Sequence, residues 1–295
     1  MSLPHTQKPR VFVRMIALSL MNKEEQWLLE EKYAGEKTPA YGNDLKRLFA
    51  GEPLAYVIGH IPFLGLKIYL DSKPLIPRPE TEWWTERLLH TYAQQDLHFS
   101  ERPEPDEARQ SKFSTENYAV PRSAGPAPLR FLDLCAGSGA IGCAALAQLP
   151  NAQVYFGEVD LAHKTTILKN IRENKLDESR ATVNIGDLFA PFADTRFNVI
   201  ATNPPYIPKD RVLEKSVTDY EPSVALFSGS DGLDLIRRIA KKLPDHLSPQ
   251  GVAWIECDSA RAAAACALFD EQGFKTHVIN DQYGAPRVVV VSFPQ

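Results

Sequence analysis

Leu129-Arg130-Phe131-Leu132-Asp133-Leu134-Cys135-Ala136-Gly137-Ser138-Gly139 is the stretch from which the rest of the chain can be read. Leu129–Leu134 is a short apolar strand. A glycine turn follows, then a small-residue helix, Ala140–Gln148. Glycine lets such a turn adopt left-handed dihedrals and lets the backbone come close to a ligand. The same strand-then-helix pattern continues downstream. Further strands are predicted at Gln153–Glu158, Thr182–Ile185, Asn198–Thr202, Val252–Glu256, Lys275–Asn280 and Arg287–Phe293. Helices are predicted at Leu161–Asn174, Leu233–Leu243 and Ala260–Gln272. The alternation implies an α/β domain over residues 130–295, with a mostly parallel seven-stranded sheet and helices on both faces. In such a sheet the glycine turn lies at the carboxyl edge, where ligands bind.

Two cofactors compete for that turn. Gly137, Gly139 and Gly142 spell G-x-G-x-x-G, and Glu158 follows at the distance of a ribose-binding acid, which is the dinucleotide fingerprint. Asp133, however, makes the pattern D-x-x-x-G-x-G, the loop of S-adenosylmethionine enzymes, in which the acid serves the methionine end of the cofactor. On either reading Glu158 takes the ribose hydroxyls, because a carboxylate can accept both hydrogen bonds. Asp160 ranks second for that role. Nearby Asp187 and Leu188 follow the next strand.

Asn203-Pro204-Pro205-Tyr206 follows the apolar strand Val199-Ile200-Ala201. A structural turn accounts for the prolines but requires neither the asparagine nor the tyrosine. An amide nitrogen is a poor nucleophile, since its lone pair is delocalised into the carbonyl. To attack a methyl carbon it must be held in line with the leaving group. The Asn203 side-chain oxygen and the Pro204 carbonyl can accept the two N–H bonds of one NH₂ group, and both face a nitrogen that becomes positive. Pro204 pushes Asn203 into an extended conformation, and Tyr206 supplies a flat wall. The same clamp holds an exocyclic amine of adenine, so the motif specifies a planar NH₂ substrate and leaves its identity open.

Outward from this core the chain changes character. Asn22 and Glu25 form a helix-start pattern for Lys23–Lys32, which is expected to bury Trp27, Leu28 and Tyr33 or their neighbours. A second helix is expected at Asp44–Ala50, a hairpin at Gly59–Leu70, a rigid connector at Pro74–Pro79 and a helix at Glu80–Tyr92. These give a helical docking domain with its hairpin over 22–73 and a connector with its helix over 74–92. Residues 93–129 are rich in proline and mixed charge, as expected of a disordered insertion. Residues 1–21 are basic and partly apolar. They read as a start-site extension, a mitochondrial targeting peptide or a weak secretory signal.

At 295 residues, 44% hydrophobic and 24% charged, the composition is that of an ordinary globular protein. A net charge of −4 advertises no basic face for nucleic acid. The four cysteines have no metal or disulfide spacing, which suggests a reducing, cytoplasmic setting with mitochondria as the alternative. No run approaches the roughly 20 apolar residues of a membrane span. No metal and no direct nucleic-acid binding are expected, and a monomer is expected.

The chain resembles the HemK/PrmC family of protein-(glutamine-N5) methyltransferases. The resemblance rests on Glu52-Pro53-Leu54-Ala55-Tyr56-Val57-Ile58-Gly59, on Leu75-Ile76-Pro77-Arg78-Pro79-Glu80-Thr81-Glu82, on the Asp133 loop and on Asn203 to Tyr206. It implies a Rossmann-like S-adenosylmethionine-dependent methyltransferase fold with a small helical N-terminal domain. It also implies a peptide chain release factor as protein partner. Carried over by residue, Asp133, Cys135, Ala136, Gly137, Ser138 and Gly139 contact the cofactor, Glu158 binds ribose, and Asp187 and Leu188 face adenine. Asn203, Pro204, Pro205 and Tyr206 hold the glutamine, with Asn203 also near the cofactor. Phe63 lines the peptide channel, and Arg78 belongs to the substrate side. Two departures stand out: Cys135-Ala136 replaces the usual glycine-threonine, and Cys257-Asp258 follows Glu256 where glycine is usual. The alternatives are a ribosomal-protein glutamine methyltransferase and a DNA or RNA adenine-N6 methyltransferase.

Overall fold

The computed structural model describes residues 23–100 and 128–294. The extension 1–21, the helix cap Asn22 and residues 101–127 of the expected insertion lie outside the described residues. Packing divides the described residues into two units, one holding 23–60 and 213–220, the other 61–100, 128–212 and 221–294.

In the first unit, helix α1 covers residues 23–33, α2 is Pro39–Phe49 and α3 is Leu54–Ile58. Helix α2 starts earlier than the expected Asp44, because Thr38 Oγ1 accepts the Tyr41 amide at 3.2 Å and Pro39 sits where a missing amide costs nothing. Asp44 is instead a hub, accepting Lys32 Nζ at 2.6 Å, the Tyr33 hydroxyl at 2.7 Å and Arg47 at 2.7 Å. Burial alone would raise its pKa, yet these donors hold it below the usual carboxylate range. Leu28, Tyr41, Leu48 and Val57 form the small core. Trp27 is 56% exposed, against the expectation that it is buried, since it projects about 100° around α1 from the buried Leu28.

In the second unit, β1 (His60–Phe63, its first residue at the unit boundary) and β2 (Leu66–Tyr69) form the expected hairpin. Helix α4 then runs Pro79–Ser100, continuing past Tyr92 into the stretch expected to be disordered. Thr81, Trp84, Leu88 and Tyr92 recur at helical spacing on its buried face. The sheet strands are β3 (Leu129–Leu134), β4 (Ala152–Glu158), β5 (Ala181–Ile185), β6 (Phe197–Thr202), β7 (Leu247–Glu256), β8 (Lys275–Asn280) and β9 (Pro286–Ser292). The helices are α5 (Ala140–Gln148), α6 (Leu161–Glu173), α8 (Asp234–His246) and α9 (Ala262–Asp270), while α7 (Lys215–Thr218) belongs to the first unit.

Sheet order is β5-β4-β3-β6-β7-β9-β8, parallel except that β9 runs antiparallel to both of its neighbours. Strand order reverses between β3 and β6, which opens a crevice beyond their carboxyl ends. Leu132, Ile200, Ile236, Leu243, Phe269 and Val289 are among the side chains that pack the core. The hairpin is tied to α6, with the Tyr69 amide donating to Asn170 Oδ1 at 2.7 Å and the Lys67 amide to Asn174 Oδ1 at 2.9 Å. No helix among the described residues is long and apolar enough to cross a membrane.

Candidate active site

Strand β6 delivers Asn203-Pro204-Pro205-Tyr206 to the carboxyl edge. The Thr202 hydroxyl donates to the Leu134 carbonyl at 2.6 Å, which locks this turn to the end of β3 where the glycine loop begins. Pro204 is buried, and Asn203, Pro205 and Tyr206 are half-buried. Asn203 Nδ2 donates to the Thr81 hydroxyl at 3.0 Å, leaving Oδ1 without a donor among the described residues. The Thr81 hydroxyl donates to Glu256 Oε2 at 2.7 Å, and the Trp84 indole N–H donates to the same oxygen at 2.7 Å. Tyr206 closes the cluster by donating its hydroxyl to Glu256 Oε1 at 2.9 Å.

Glu256 ends β7 and is 1% exposed. Burial raises its pKa, while hydrogen bonds from Trp84, Thr81 and Tyr206 pull the other way. Burial and the Glu256 charge push the Tyr206 phenol well above its ordinary range, so its hydroxyl stays protonated and remains a donor. Gly232, with φ of +81°, approaches from the segment before α8. A Cβ there would lie 2.3 Å from the Tyr206 carbonyl oxygen, so only glycine permits this approach.

In the glycine loop the Glu158 carboxylate accepts the Gly137 amide at 2.7 Å and the Asp160 amide at 2.9 Å. The Gly137 amide is one that a pyrophosphate would need. With a carboxylate already on it, an anion would meet repulsion, and this tells against the dinucleotide reading. Each Glu158 oxygen keeps lone pairs for a diol. Asp133 is buried, accepts the Gly142 amide at 2.8 Å through Oδ2, and has an orphaned Oδ1. Burial raises its pKa. An orphaned carboxylate oxygen at the loop and an acid held for a diol are the features that S-adenosylmethionine would use.

Gly142 supports the loop from behind, because a Cβ there would lie 2.2 Å from the Phe156 ring. Asp160 caps α6 through its own side chain, which accepts the Ala162 amide at 2.8 Å. Ser138 is buried, and Ala136 donates its amide to the Gly157 carbonyl at 3.0 Å.

Cys135 has a φ of +60°, a left-handed conformation that suits glycine and strains a side chain by about 1–2 kcal/mol. Relief of that strain is partly offset by the freer unfolded chain that glycine brings. Cys135→Gly is therefore expected to raise stability by up to about 1 kcal/mol, read as a higher denaturation midpoint. An unchanged or lower midpoint would show that packing of the thiol outweighs the strain. Burial pushes this thiol up to about 12, so it is not a nucleophile at neutral pH.

Not every expected site residue is free for the role assigned to it. Arg78 donates through one terminal nitrogen to Glu221 at 2.6 Å, and the Ile76 amide donates to the same carboxylate at 3.1 Å, so this pair braces the connector. Phe63 is 1% exposed: strand alternation turns it inward, and it is a core residue rather than a channel lining. The Asp187 carboxylate pairs with Arg238 at the surface, and Leu188 is buried with a φ of +50°. Thr81, Trp84, Glu221, Gly232 and Glu256 were missed as site residues. Of these only Thr81 stood inside a quoted motif. Val159, 57% exposed beside Glu158, adds an apolar surface at the same edge.

The Methyltransferase small domain family model matches residues 124–219. The chain is 32% identical over 241 residues to the release factor glutamine methyltransferase of Geobacter sulfurreducens, covering 81% of this chain and 72% of that one. Identity to the release factor glutamine methyltransferase of Bordetella pertussis is 30% over 286 residues, covering 95% and 93%. The ribosomal protein uL3 glutamine methyltransferase of Bradyrhizobium diazoefficiens is 33% identical over 207 residues, which span 70% of this chain and 57% of that protein. Among solved structures, the hMettl16 catalytic domain in complex with the MAT2A 3'UTR hairpin 6 superposes with a TM-score of 0.51 at 16% identity, covering 78% of this chain and 77% of that one. This last likeness is one of fold.

Proposed function

Since the chain belongs to the release factor glutamine methyltransferase family, we propose that it methylates the side-chain amide nitrogen of the glutamine in the Gly-Gly-Gln loop of a peptide chain release factor. The observation that carries this reading is the Asn203 carboxamide, anchored through Nδ2 with Oδ1 open, at the edge where the Asp133 and Glu158 loop lies.

S-adenosylmethionine, when bound, supplies a methyl group already made electrophilic by its sulfonium. Asp133, Glu158 and the backbone of residues 135–139 would hold it. Asn203 Oδ1 and the Pro204 carbonyl accept the two N–H bonds of the substrate amide, which fixes its nitrogen and favours the positive charge that develops there. Tyr206, held by Glu256, presents its ring against the planar amide. No strong base is needed, because a nitrogen that has become cationic is acidic enough to release its proton to water. Translation termination in the cytoplasm is the setting this reading implies.

Glu158→Ala should weaken S-adenosylmethionine binding by about 10- to 100-fold, the equivalent of losing about one hydrogen bond to a charged group. Calorimetric titration of the purified protein measures this, and wild-type affinity in the variant would remove Glu158 from the cofactor site. The substrate is tested by incubating the protein with S-adenosylmethionine and a release factor, then mapping the added methyl by peptide mass spectrometry. A methyl on the Gly-Gly-Gln glutamine is the expected result. Transfer to uL3 instead would support the second reading, which the similarity to the uL3 enzyme favours. Transfer to nucleic acid alone would overturn both.

A further inference from the structure

We propose that Thr81 is a positioning residue that decides which end of the Asn203 carboxamide meets the substrate, and that Glu256 sets the polarity of this relay. Counting protons decides the orientation. The Trp84 indole N–H can only donate, so Glu256 Oε2 must accept. The Thr81 hydroxyl carries one proton, and with Oε2 at 2.7 Å that proton points at Glu256. With Glu256 as the carboxylate that its three donors favour, a reversed hydroxyl would set two oxygen lone pairs face to face. Thr81 Oγ1 therefore turns lone pairs toward Asn203, and only the NH₂ end of the carboxamide satisfies them, at 3.0 Å. Asn203 Oδ1 is left facing outward as an acceptor.

A carboxamide is nearly symmetric in shape, so packing alone does not choose between its two orientations. The flipped form would point NH₂ at the substrate's own NH₂ and repel it. Thr81, contributed by α4, thereby selects a substrate that bears N–H donors over one that offers only oxygen acceptors. Glu256 Oε1 holds Tyr206 at the same time, so one buried carboxylate keeps the acceptor and the aromatic wall together. The catalytic consequence rests on the reading of Asn203 as the acceptor for the substrate amide. The orientation itself does not.

Thr81→Val keeps the shape and removes the hydroxyl, while Thr81→Ser keeps the hydroxyl. With release factor and S-adenosylmethionine saturating, Thr81→Val is expected to lower kcat by about 10- to 100-fold. KM for S-adenosylmethionine should change by less than about two-fold. Thr81→Ser should recover most of the turnover, which a packing role would not predict, since valine fills the space better than serine. A second measurement needs no substrate. In ¹⁵N-labelled protein the Asn203 side-chain NH₂ signal, assigned by its loss in Asn203→Asp, should exchange with solvent about tenfold faster in Thr81→Val than in wild type. Thr81→Ala serves the same comparison if the valine variant does not fold. Exchange at the wild-type rate in the variant would overturn the relay. Failure of the wild-type protein to methylate a release factor would overturn the functional reading alone, because the exchange result stands without substrate.

Discussion

Asn203→Ala is expected to lower kcat by about 10²- to 10³-fold while S-adenosylmethionine binding stays within a few-fold of wild type. The size follows from the loss of a preorganised acceptor aimed at a nitrogen that gains charge, in a half-buried site where water replaces it poorly. Two contributions add. The substrate amide loses one of its two fixed contacts, and its nitrogen then samples geometries out of line with the methyl group. Cofactor binding is spared because the Glu158 carboxylate and the glycine loop are held by Gly137, Asp160 and Gly142 amides, none of which passes through Asn203. Single-turnover kinetics with calorimetric titration of the cofactor separates the two. Turnover near the wild-type rate would mean that the clamp does not carry the chemistry. Loss of both turnover and cofactor affinity would mean that Asn203 is part of the cofactor site first.

Gly232→Ala should be nearly as damaging, although Gly232 touches no reacting atom. Its Cβ would come 2.3 Å from the Tyr206 carbonyl oxygen and 3.1 Å from Pro208 Cδ, and its φ of +81° disfavours any side chain. The backbone strain alone is worth about 1–3 kcal/mol, to be seen as a lower denaturation midpoint. The obstruction is backbone and cannot rotate away, so the Tyr206 segment must move. A displacement of about 1 Å at the clamp is enough to lower kcat by about 10²-fold. Assay at a temperature where the variant is fully folded distinguishes this from simple unfolding. A folded Gly232→Ala protein with wild-type kcat would show that the clamp tolerates the shift.

The same contrast runs through the whole molecule. The strand and helix alternation was legible because burial imposes a local period on the chain, and all seven sheet strands fell where that period placed them, to within a few residues. The glycine loop and Asn203 to Tyr206 were legible because their chemistry is written in adjacent residues: a tight turn needs glycine, and a paired acceptor needs asparagine before proline. Helix α2 was misplaced because Asp44, a residue type that often starts helices, serves here as a buried ion-pair hub while Thr38 does the capping.

By itself, then, the sequence determined the α/β architecture and the demand for a planar NH₂ substrate, and narrowed the glycine loop to two cofactor classes. Each depends on residues near one another along the chain, where periodicity and local backbone requirements leave a readable trace. Only the tertiary structure decided that Thr81 orients Asn203 and that Glu256 gathers Thr81, Trp84 and Tyr206. It likewise decided that Arg78 pairs with Glu221, that Phe63 is buried, and that Gly232 makes room for Tyr206. Thr81 and Asn203 stand 122 positions apart, and Thr81 and Glu256 stand 175 apart. A buried polar group must find its partner among whatever the packed fold brings within hydrogen-bonding distance, and no local pattern records that choice.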